Sequence, residues 1–296
     1  MLRNLILTGV MVALVGCTDP GAAPAPSGPR LTTVGPSVSL PGPDTEVPTG
    51  ATALAERLST TSRALFHAIE AWRATPEGTT SWPPPDDVVL LALDQQRIYQ
   101  RLAGTKDLRR AATRMLPRGL RRPARAIALA GARLASGSGT VTGTPRLDTA
   151  DPLPVDVLRS YFEEAQARFG VDWELLAGIN FIETRFGRVI SKSSAGAQGP
   201  MQFIPSTWKA FGLGGDVYEP RDAILGAANY LRAAGALQHE RRALLAYNPL
   251  DPYADAVHLY AQQIRRDESS YYAFYNWQVF VRTPSGELER LTGPGR

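Results

Sequence analysis

Proline and glycine are distributed unevenly along the chain, and their positions limit which parts can fold. The 27 glycines and 24 prolines concentrate at residues 18–50, at residues 136–147 and near the C-terminus. Residues 18–50 contain few large apolar side chains, so burial cannot offset the entropy lost when the backbone becomes ordered. We therefore predict a disordered tether over residues 18–50 and a linker over residues 136–150, with folded parts after each.

The segment before the linker, residues 51–135, has the apolar periodicity of helices. A proline-rich break at residues 81–85 precedes a second helix, which Asp86 or Asp87 is expected to cap. Pro123 is expected to begin a last helix. These lengths predict a small domain of three or four helices packed antiparallel.

Basic residues concentrate in this helical segment. Residues 51–137 contain 14 Lys and Arg against 7 Asp and Glu, whereas residues 151–270 contain 12 against 15. Eleven of the basic residues lie between Arg97 and Arg133. They either attract anionic wall polymers or lipid headgroups, or they form an ordinary solvated helix face.

The first 17 residues have the features of an export signal. Arg3 supplies the positive start, and the apolar run Leu5–Leu14 is about half the ~20 residues of a membrane-spanning helix. The run continues into Leu-Val-Gly-Cys, which resembles the lipobox of bacterial lipoproteins. The resemblance implies cleavage before Cys17, a lipid on its sulfur, and a location outside the cytoplasm at the cell membrane. The alternative is an ordinary signal peptide with an incidental cysteine.

The composition excludes several kinds of site. Cys17 is the single cysteine, so no internal disulfide can form. Three scattered histidines (His67, His239 and His258) without a second thiol give no zinc-binding set. The chain has no Gly-rich phosphate loop and no nucleophile-elbow serine. We predict no metal, no cofactor and no nucleic-acid partner.

After the linker, the sequence predicts short capped helices, with Pro154 at a first helical position and Asp172 as the cap of a helix that ends near Thr184. The apolar stripe of this helix consists of Leu175, Leu176, Ile179 and Ile182. Glu183 falls within the same sector at 100° per residue.

A carboxylate on an apolar stripe needs an explanation, because burying an unpaired charge is costly. Glu183 either forms a core ion pair with Arg185 or Arg188, or has a raised pKa and donates a proton near neutral pH. The second property is what glycosidic cleavage requires of its general acid.

A loop of small residues follows, which consists of Ser193, Ser194 and the sequence GAQGPMQFIP at residues 196–205. Its glycines permit a tight backbone path close to a ligand. Gln198 and Gln202 offer donors and acceptors that suit sugar hydroxyl and acetamido groups.

Three blocks of this sequence resemble the signature of lytic transglycosylases. They are Glu183-Thr184, GAQGPMQFIPSTW at residues 196–208, and Ala246-Tyr247-Asn248. The resemblance, to the soluble-type enzymes with a goose-lysozyme-like fold, covers roughly residues 152–265. It implies a mainly α protein, with a lysozyme-like catalytic domain at residues 151–270 after the small helical domain. It also implies a groove for peptidoglycan glycan strands.

The resemblance further implies roles for single residues. The catalytic glutamate falls on Glu183. The substrate-binding residues fall on Ser193, Gln202, Tyr247, Met201 and Asn248. Core packing explains Met201 at least as well. Thr184, Pro200 and Pro249 depart from the family's commonest pattern without removing a catalytic atom.

Conventional glycosidases need a second carboxylate near the acid, and the other acids of residues 151–270 look like caps or surface groups. Lytic transglycosylases, by resemblance, need one. We expect Glu183 to protonate the glycosidic oxygen and then to accept the proton of the muramoyl 6-hydroxyl, which closes a 1,6-anhydro ring. Tyr247 is expected to hydrogen-bond near Glu183 or the acetamido group. The alternatives are a hydrolytic muramidase with Asp216 as second acid, and a non-catalytic wall-binding lipoprotein.

The last segment, residues 271–296, begins with the aromatic run Tyr271–Trp277. A strand-like stretch at residues 278–282 and a turn at residues 284–286 predict a docked hairpin. The aromatic run either stacks on sugar faces or closes the domain as a hydrophobic clamp.

Overall fold

The fold is known from a computed structural model, which describes residues 39–75, 77–137 and 146–296. The predicted signal peptide with Cys17, and most of the predicted tether and linker, lie outside these residues. In the described residues the regular structure consists of eleven helices and one two-stranded hairpin, which confirms the mainly α fold class. No helix in this part of the chain is both long enough and apolar enough to cross a membrane.

The helices fall into two sequence groups. The first group is α1 (Ala51–Arg73), α2 (Asp86–Gly104), α3 (Lys106–Met115) and α4 (Arg118–Gly137). The second group is α5 (Val155–Phe169), α6 (Trp173–Thr184), α7 (Pro205–Phe211), α8 (Pro220–Ala233), α9 (Glu240–Tyr247), α10 (Asp251–Arg266) and α11 (Ser269–Tyr275). The strands β1 (Phe280–Arg282) and β2 (Leu288–Arg290) pair antiparallel, which confirms the predicted hairpin.

Some helix starts differ from the prediction. Pro123 lies inside α4 rather than at its beginning, and Pro154 is the residue before α5 rather than its first. Asp172 does precede α6, but its carboxylate makes no capping hydrogen bond and instead pairs with Arg265 at 2.9 Å. Residue type identified the breaks between helices but not the exact terminal residues.

One apolar core connects the two groups of helices. α4 packs along α10, and α1 packs against α11. The Gln96 side chain of α2 also exchanges two 2.8 Å hydrogen bonds with the backbone of Gln278. The helices before residue 138 are therefore in direct contact with the predicted catalytic domain, while the boundary between the two remains a prediction.

The aromatic run lies inside this core, mostly as the helix α11, which the sequence did not predict. Tyr271, Tyr272 and Tyr275 are buried. The Tyr271 hydroxyl donates to the Val155 carbonyl at 2.9 Å, and the Tyr275 hydroxyl donates to the Leu153 carbonyl at 2.7 Å. Because these rings are covered, they pack as part of the core that closes the domain and offer no ring face to a sugar.

α6 is surrounded by neighbouring helices rather than buried along one stripe. Ala177, Gly178, Asn180 and Phe181 are buried together with most of the predicted stripe, while Ile182 is only half-buried. At Gly178 the backbone of α10 comes so close that a Cβ would lie 3.3 Å from the Val257 carbonyl oxygen. The side of α6 that carries Ile182 and Glu183 is where this central helix reaches the surface.

Candidate active site

Glu183 lies in the last turn of α6, on its half-buried side. Its Oε1 accepts a hydrogen bond from the Tyr253 hydroxyl at 2.6 Å. Within the described residues, no Lys, Arg or His lies within ion-pair distance of this carboxyl group. The site is therefore a single carboxyl group that is hydrogen-bonded to a neutral donor, the Tyr253 hydroxyl.

The two arginines considered as ion-pair partners have other contacts. Arg185 donates to the Phe181 carbonyl at 2.6 Å and lies 4.4 Å above the Phe181 ring. Arg188 contacts the rings of Trp82 and Tyr275. Of the two explanations for Glu183, the core ion pair is therefore wrong.

Removal from water dominates the titration of Glu183. Part of the side chain stays exposed, but burial around its carboxyl group raises the pKa to about 7. The hydrogen bond from Tyr253 acts in the opposite direction, because it stabilises the ionised form, and it is the weaker effect. Near neutral pH the protonated form of Glu183 is therefore populated and can donate its proton.

Tyr253 is a site residue that the sequence reasoning missed. It is buried in the first turn of α10. Its spacing of four residues from Val257 and seven from Tyr260 places it on the α10 face that packs against α6, and this spacing is the signal that could have identified it.

Tyr247 lies close to Glu183, but its hydroxyl does not bond to the carboxyl group, which was one of the two predicted partners; the other, the acetamido group of the substrate, stays a prediction. Its hydroxyl donates to the Met201 carbonyl oxygen at 2.5 Å. Burial, followed by the charge of Glu183, raises the pKa of both Tyr247 and Tyr253 well above 10. Both hydroxyl groups therefore stay protonated and act as hydrogen-bond donors.

Replacing Tyr253 with phenylalanine should raise the pKa of Glu183 above its value of about 7, because the variant loses a donor to the ionised form while burial is retained. The measurement is a carbon NMR titration of the Glu183 carboxyl group. Tyr247→Phe is the matched control and should shift this pKa less, since its hydroxyl bonds to Met201. An unchanged or lowered pKa in Tyr253→Phe would show that the hydrogen bond does not tune Glu183.

The loop after α6 is closed by its own hydrogen bonds. The Ser193 Oγ accepts the Ala197 N–H at 2.9 Å. Gln202 has a left-handed backbone with φ of 51°, and its Nε2 donates to the Gly199 carbonyl at 3.0 Å. The two predicted substrate-binding residues of this loop therefore also fix its shape.

The same loop is fastened to α6 beside the carboxyl group. The Pro200 carbonyl accepts hydrogen bonds of 2.7 Å from both Asn180 and Thr184. Thr184 directly follows Glu183, so these bonds hold the loop next to the acid. The hydroxyl group of Thr184 is thus one of the two donors that fasten the loop.

Gly199 makes the tightest contact in the loop. It has a φ of +71°, and a Cβ there would lie 1.9 Å from the Val217 carbonyl oxygen. Gly199 thus allows a close approach of the protein's own backbone, while the predicted approach of the loop to a ligand stays a prediction.

The remaining two predicted residues differ in their surroundings. The Met201 side chain is fully buried and belongs to the core, and its backbone carbonyl is the partner of Tyr247. Asn248 is buried at the end of α9, and its Oδ1 has no hydrogen-bond partner in the described part of the chain. The structure thus brings the loop and the end of α9 together around Glu183, with Met201 as scaffold.

Comparisons with known proteins point to the same segment. Residues 160–250 match the family model described as Transglycosylase SLT domain. A stretch of 74 residues, 25% of this chain, is 39% identical to Membrane-bound lytic murein transglycosylase F of Thiobacillus denitrificans and covers 15% of that protein's length. No solved structure matches the chain. The matched segment contains Glu183, the loop and Tyr247, and it ends three residues before Tyr253.

Proposed function

We propose that this chain, which carries a transglycosylase SLT domain over residues 160–250, is a peptidoglycan lytic transglycosylase. It would cleave the β-1,4 bond between N-acetylmuramic acid and N-acetylglucosamine without water. The observation that carries the proposal is the carboxyl group of Glu183, which has a pKa of about 7 and a neutral donor at Oε1. The relative in Thiobacillus denitrificans is named as a lytic murein transglycosylase, which supports the same activity.

In the first step, Glu183 donates its proton to the glycosidic oxygen. Since Tyr253 occupies Oε1, the proton is best placed on Oε2. The bond from muramoyl C1 to this oxygen breaks, and the 4-hydroxyl of the N-acetylglucosamine unit leaves. The carbonyl oxygen of the muramoyl acetamido group bonds to C1 and takes up the developing positive charge.

In the second step, Glu183 acts as the base. Its carboxylate accepts the proton of the muramoyl 6-hydroxyl, and the oxygen of that hydroxyl bonds to C1. The acetamido oxygen leaves C1, the 1,6-anhydro ring is closed, and Glu183 again holds a proton. One carboxyl group that alternates between acid and base is sufficient, because no water molecule has to be activated.

The hydrolytic alternative needs a second carboxylate, and Asp216 was the candidate. Asp216 is exposed, and its Oδ1 accepts the N–H of Tyr218 at 2.9 Å, which closes a turn. The carboxylate thus has a local structural use that requires no part in catalysis. This arrangement favours the single-acid mechanism.

Mass spectrometry of the glycan ends that the purified full-length protein releases from peptidoglycan tests the proposal. We expect muramoyl ends lighter by one water than reducing ends. Reducing muramoyl ends would favour the muramidase, and wall binding without any released product would favour the non-catalytic lipoprotein.

We further place the protein outside the cytoplasm, attached to the cell membrane through a lipid on Cys17. The lipobox resemblance and the words "membrane-bound" in the relative's name support this location. Its partners would be glycan strands, bound beside Glu183, and an anionic surface, bound by the basic helices.

Labelling with fatty acid tests the lipid anchor. Incorporation of labelled fatty acid into the wild type and not into Cys17→Ser is the expected result, and equal labelling of the two would contradict the anchor.

A further inference from the structure

The helices α3 and α4 carry a row of exposed basic side chains, here called the cationic face. It consists of Lys106, Arg110, Arg114, Arg118, Arg122 and Arg125. Spacings of four residues on α3, and of four and seven on α4, align these side chains along one side of each helix. Their burial pattern agrees, since all six are exposed.

The charges of the two helices lie close together. α3 packs against α4. Burial, and then the neighbouring charges of Arg110 and Arg125, lower the pKa of Arg109. Arg109 thus lies close to positive charges on both helices, so the two rows form one continuous surface of positive charge.

The described part of the chain does not neutralise this charge. Residues 104–125 contain eight basic residues and one acidic residue, Asp107. No carboxylate of the described residues lies within 4.0 Å of any member of the cationic face, although elsewhere Arg159, Arg221 and Arg265 each form ion pairs. An ordinary solvated helix face usually alternates the two signs of charge, and the cationic face does not.

The cationic face lies beside the start of the folded chain. Thr52, in the first turn of α1, donates a hydrogen bond to the Met115 sulfur at 3.5 Å, and Met115 ends α3. Met115 itself is 56% exposed. The chain that arrives through residues 39–50 therefore enters α1 next to the cationic face.

We propose that the cationic face binds the phosphate headgroups of an anionic lipid bilayer and thereby holds the catalytic domain against the membrane surface. Five of its six members are arginines, whose planar guanidinium group matches phosphate oxygens in pairs. A lipid anchor on Cys17 would tie one end of the chain to the membrane, and a basic patch would hold the folded part against the same surface. The exposed Met115 adds an apolar contact at the edge. The inference is independent of the glycan chemistry proposed for Glu183.

The test is flotation of the purified full-length protein with vesicles of phosphatidylglycerol or of phosphatidylcholine. Phosphatidylcholine has no net charge, so binding to its vesicles measures attachment through the N-terminal segment alone. The test variant is Arg110→Glu with Arg114→Glu and Arg122→Glu. The matched control reverses three exposed arginines on separate segments, Arg146, Arg242 and Arg282. Both variants make the same change in net charge.

The wild type should partition at least tenfold more strongly to the anionic vesicles, and this preference should weaken as salt is added. The face variant should lose about a hundredfold of that partitioning, whereas the control should lose less than about threefold. Arg→Gln at the same three positions should give an intermediate loss, and it keeps the test valid if charge reversal prevents folding. Equal binding to the two lipids, or equal loss in face and control variants, would overturn the inference. Retention on a soluble polyanion without vesicle binding would also overturn it, in favour of a wall polymer.

Discussion

Replacing Glu183 with glutamine should lower the release of soluble products from peptidoglycan by at least about a thousandfold, while the folded structure is kept. Glutamine has nearly the same shape but no acidic proton to transfer, and general acid–base catalysis contributes roughly 10²–10⁴-fold to rates. The measurement is product released per unit time by the purified proteins. The matched control is Glu174→Gln, at the other end of α6, where burial also raises the pKa of a half-buried carboxyl group.

The control should retain activity within about twofold of the wild type, because Glu174 lies in the first turn of α6 and does not bond to Tyr253. If Glu183→Gln kept activity within about tenfold, Glu183 would not be the acid. The wild type should also lose activity as the pH rises above about 7, because the acid form of Glu183 disappears there.

The same substitution should change how stability depends on pH. Between the ordinary value of 4.5 and the folded value of about 7, the folded protein holds the Glu183 proton more tightly than the unfolded chain does. The free energy of unfolding of the wild type should therefore fall as the pH rises through this window, and it should fall less in Glu183→Gln. Urea unfolding at several pH values measures this, and parallel curves for the two proteins would contradict a raised pKa.

Replacing Gly199 with alanine should destabilise the folded protein by ~3 kcal/mol and abolish product release. The left-handed backbone alone costs about 1–2 kcal/mol with a side chain, and the new Cβ would meet the Val217 carbonyl at 1.9 Å, so the backbone must shift. Pro200, which fastens the loop next to Glu183, would move with it. Denaturant unfolding and product release are the measurements.

Gly196→Ala is the matched control in the same loop. Its φ of +79° carries the same left-handed cost, but no atom beyond its two chain neighbours lies within 4 Å of the added Cβ. It should lose only ~1 kcal/mol and retain most of its activity. Equal destabilisation of the two variants would mean that the contact with Val217 contributes nothing.

The positions of the helices could be predicted because proline, glycine and apolar spacing are local properties of the sequence. The unusual setting of the Glu183 carboxyl group could also be predicted, because a carboxylate on an apolar sector conflicts with the rest of its helix. α11 was missed because four of its seven residues are aromatic and six are buried, so no polar face alternates with the apolar one. Its burial results from packing against α1 and from the contact of Tyr271 with the Val155 carbonyl at the start of α5. Local spacing in the sequence does not encode either contact.

The partners of the site residues were harder to predict than the residues themselves. Tyr253 and Tyr247 are six positions apart, and both lie near Glu183. Which hydroxyl reaches the carboxyl group depends on how α10 packs against α6. The sequence likewise placed Ser193 and Gln202 in one loop but could not show that their side chains fix that loop.

Digestion of peptidoglycan in water enriched with oxygen-18, followed by mass spectrometry of the released muramoyl ends, tests the central mechanism most directly. If Glu183 recovers its proton from the muramoyl 6-hydroxyl, the new bond at C1 is made by the sugar's own oxygen. The ends formed by the wild type should then be anhydro ends without heavy oxygen. Heavy oxygen incorporated at C1 by the enzyme would show that water attacks there, and the single-carboxyl transglycosylase mechanism would be wrong.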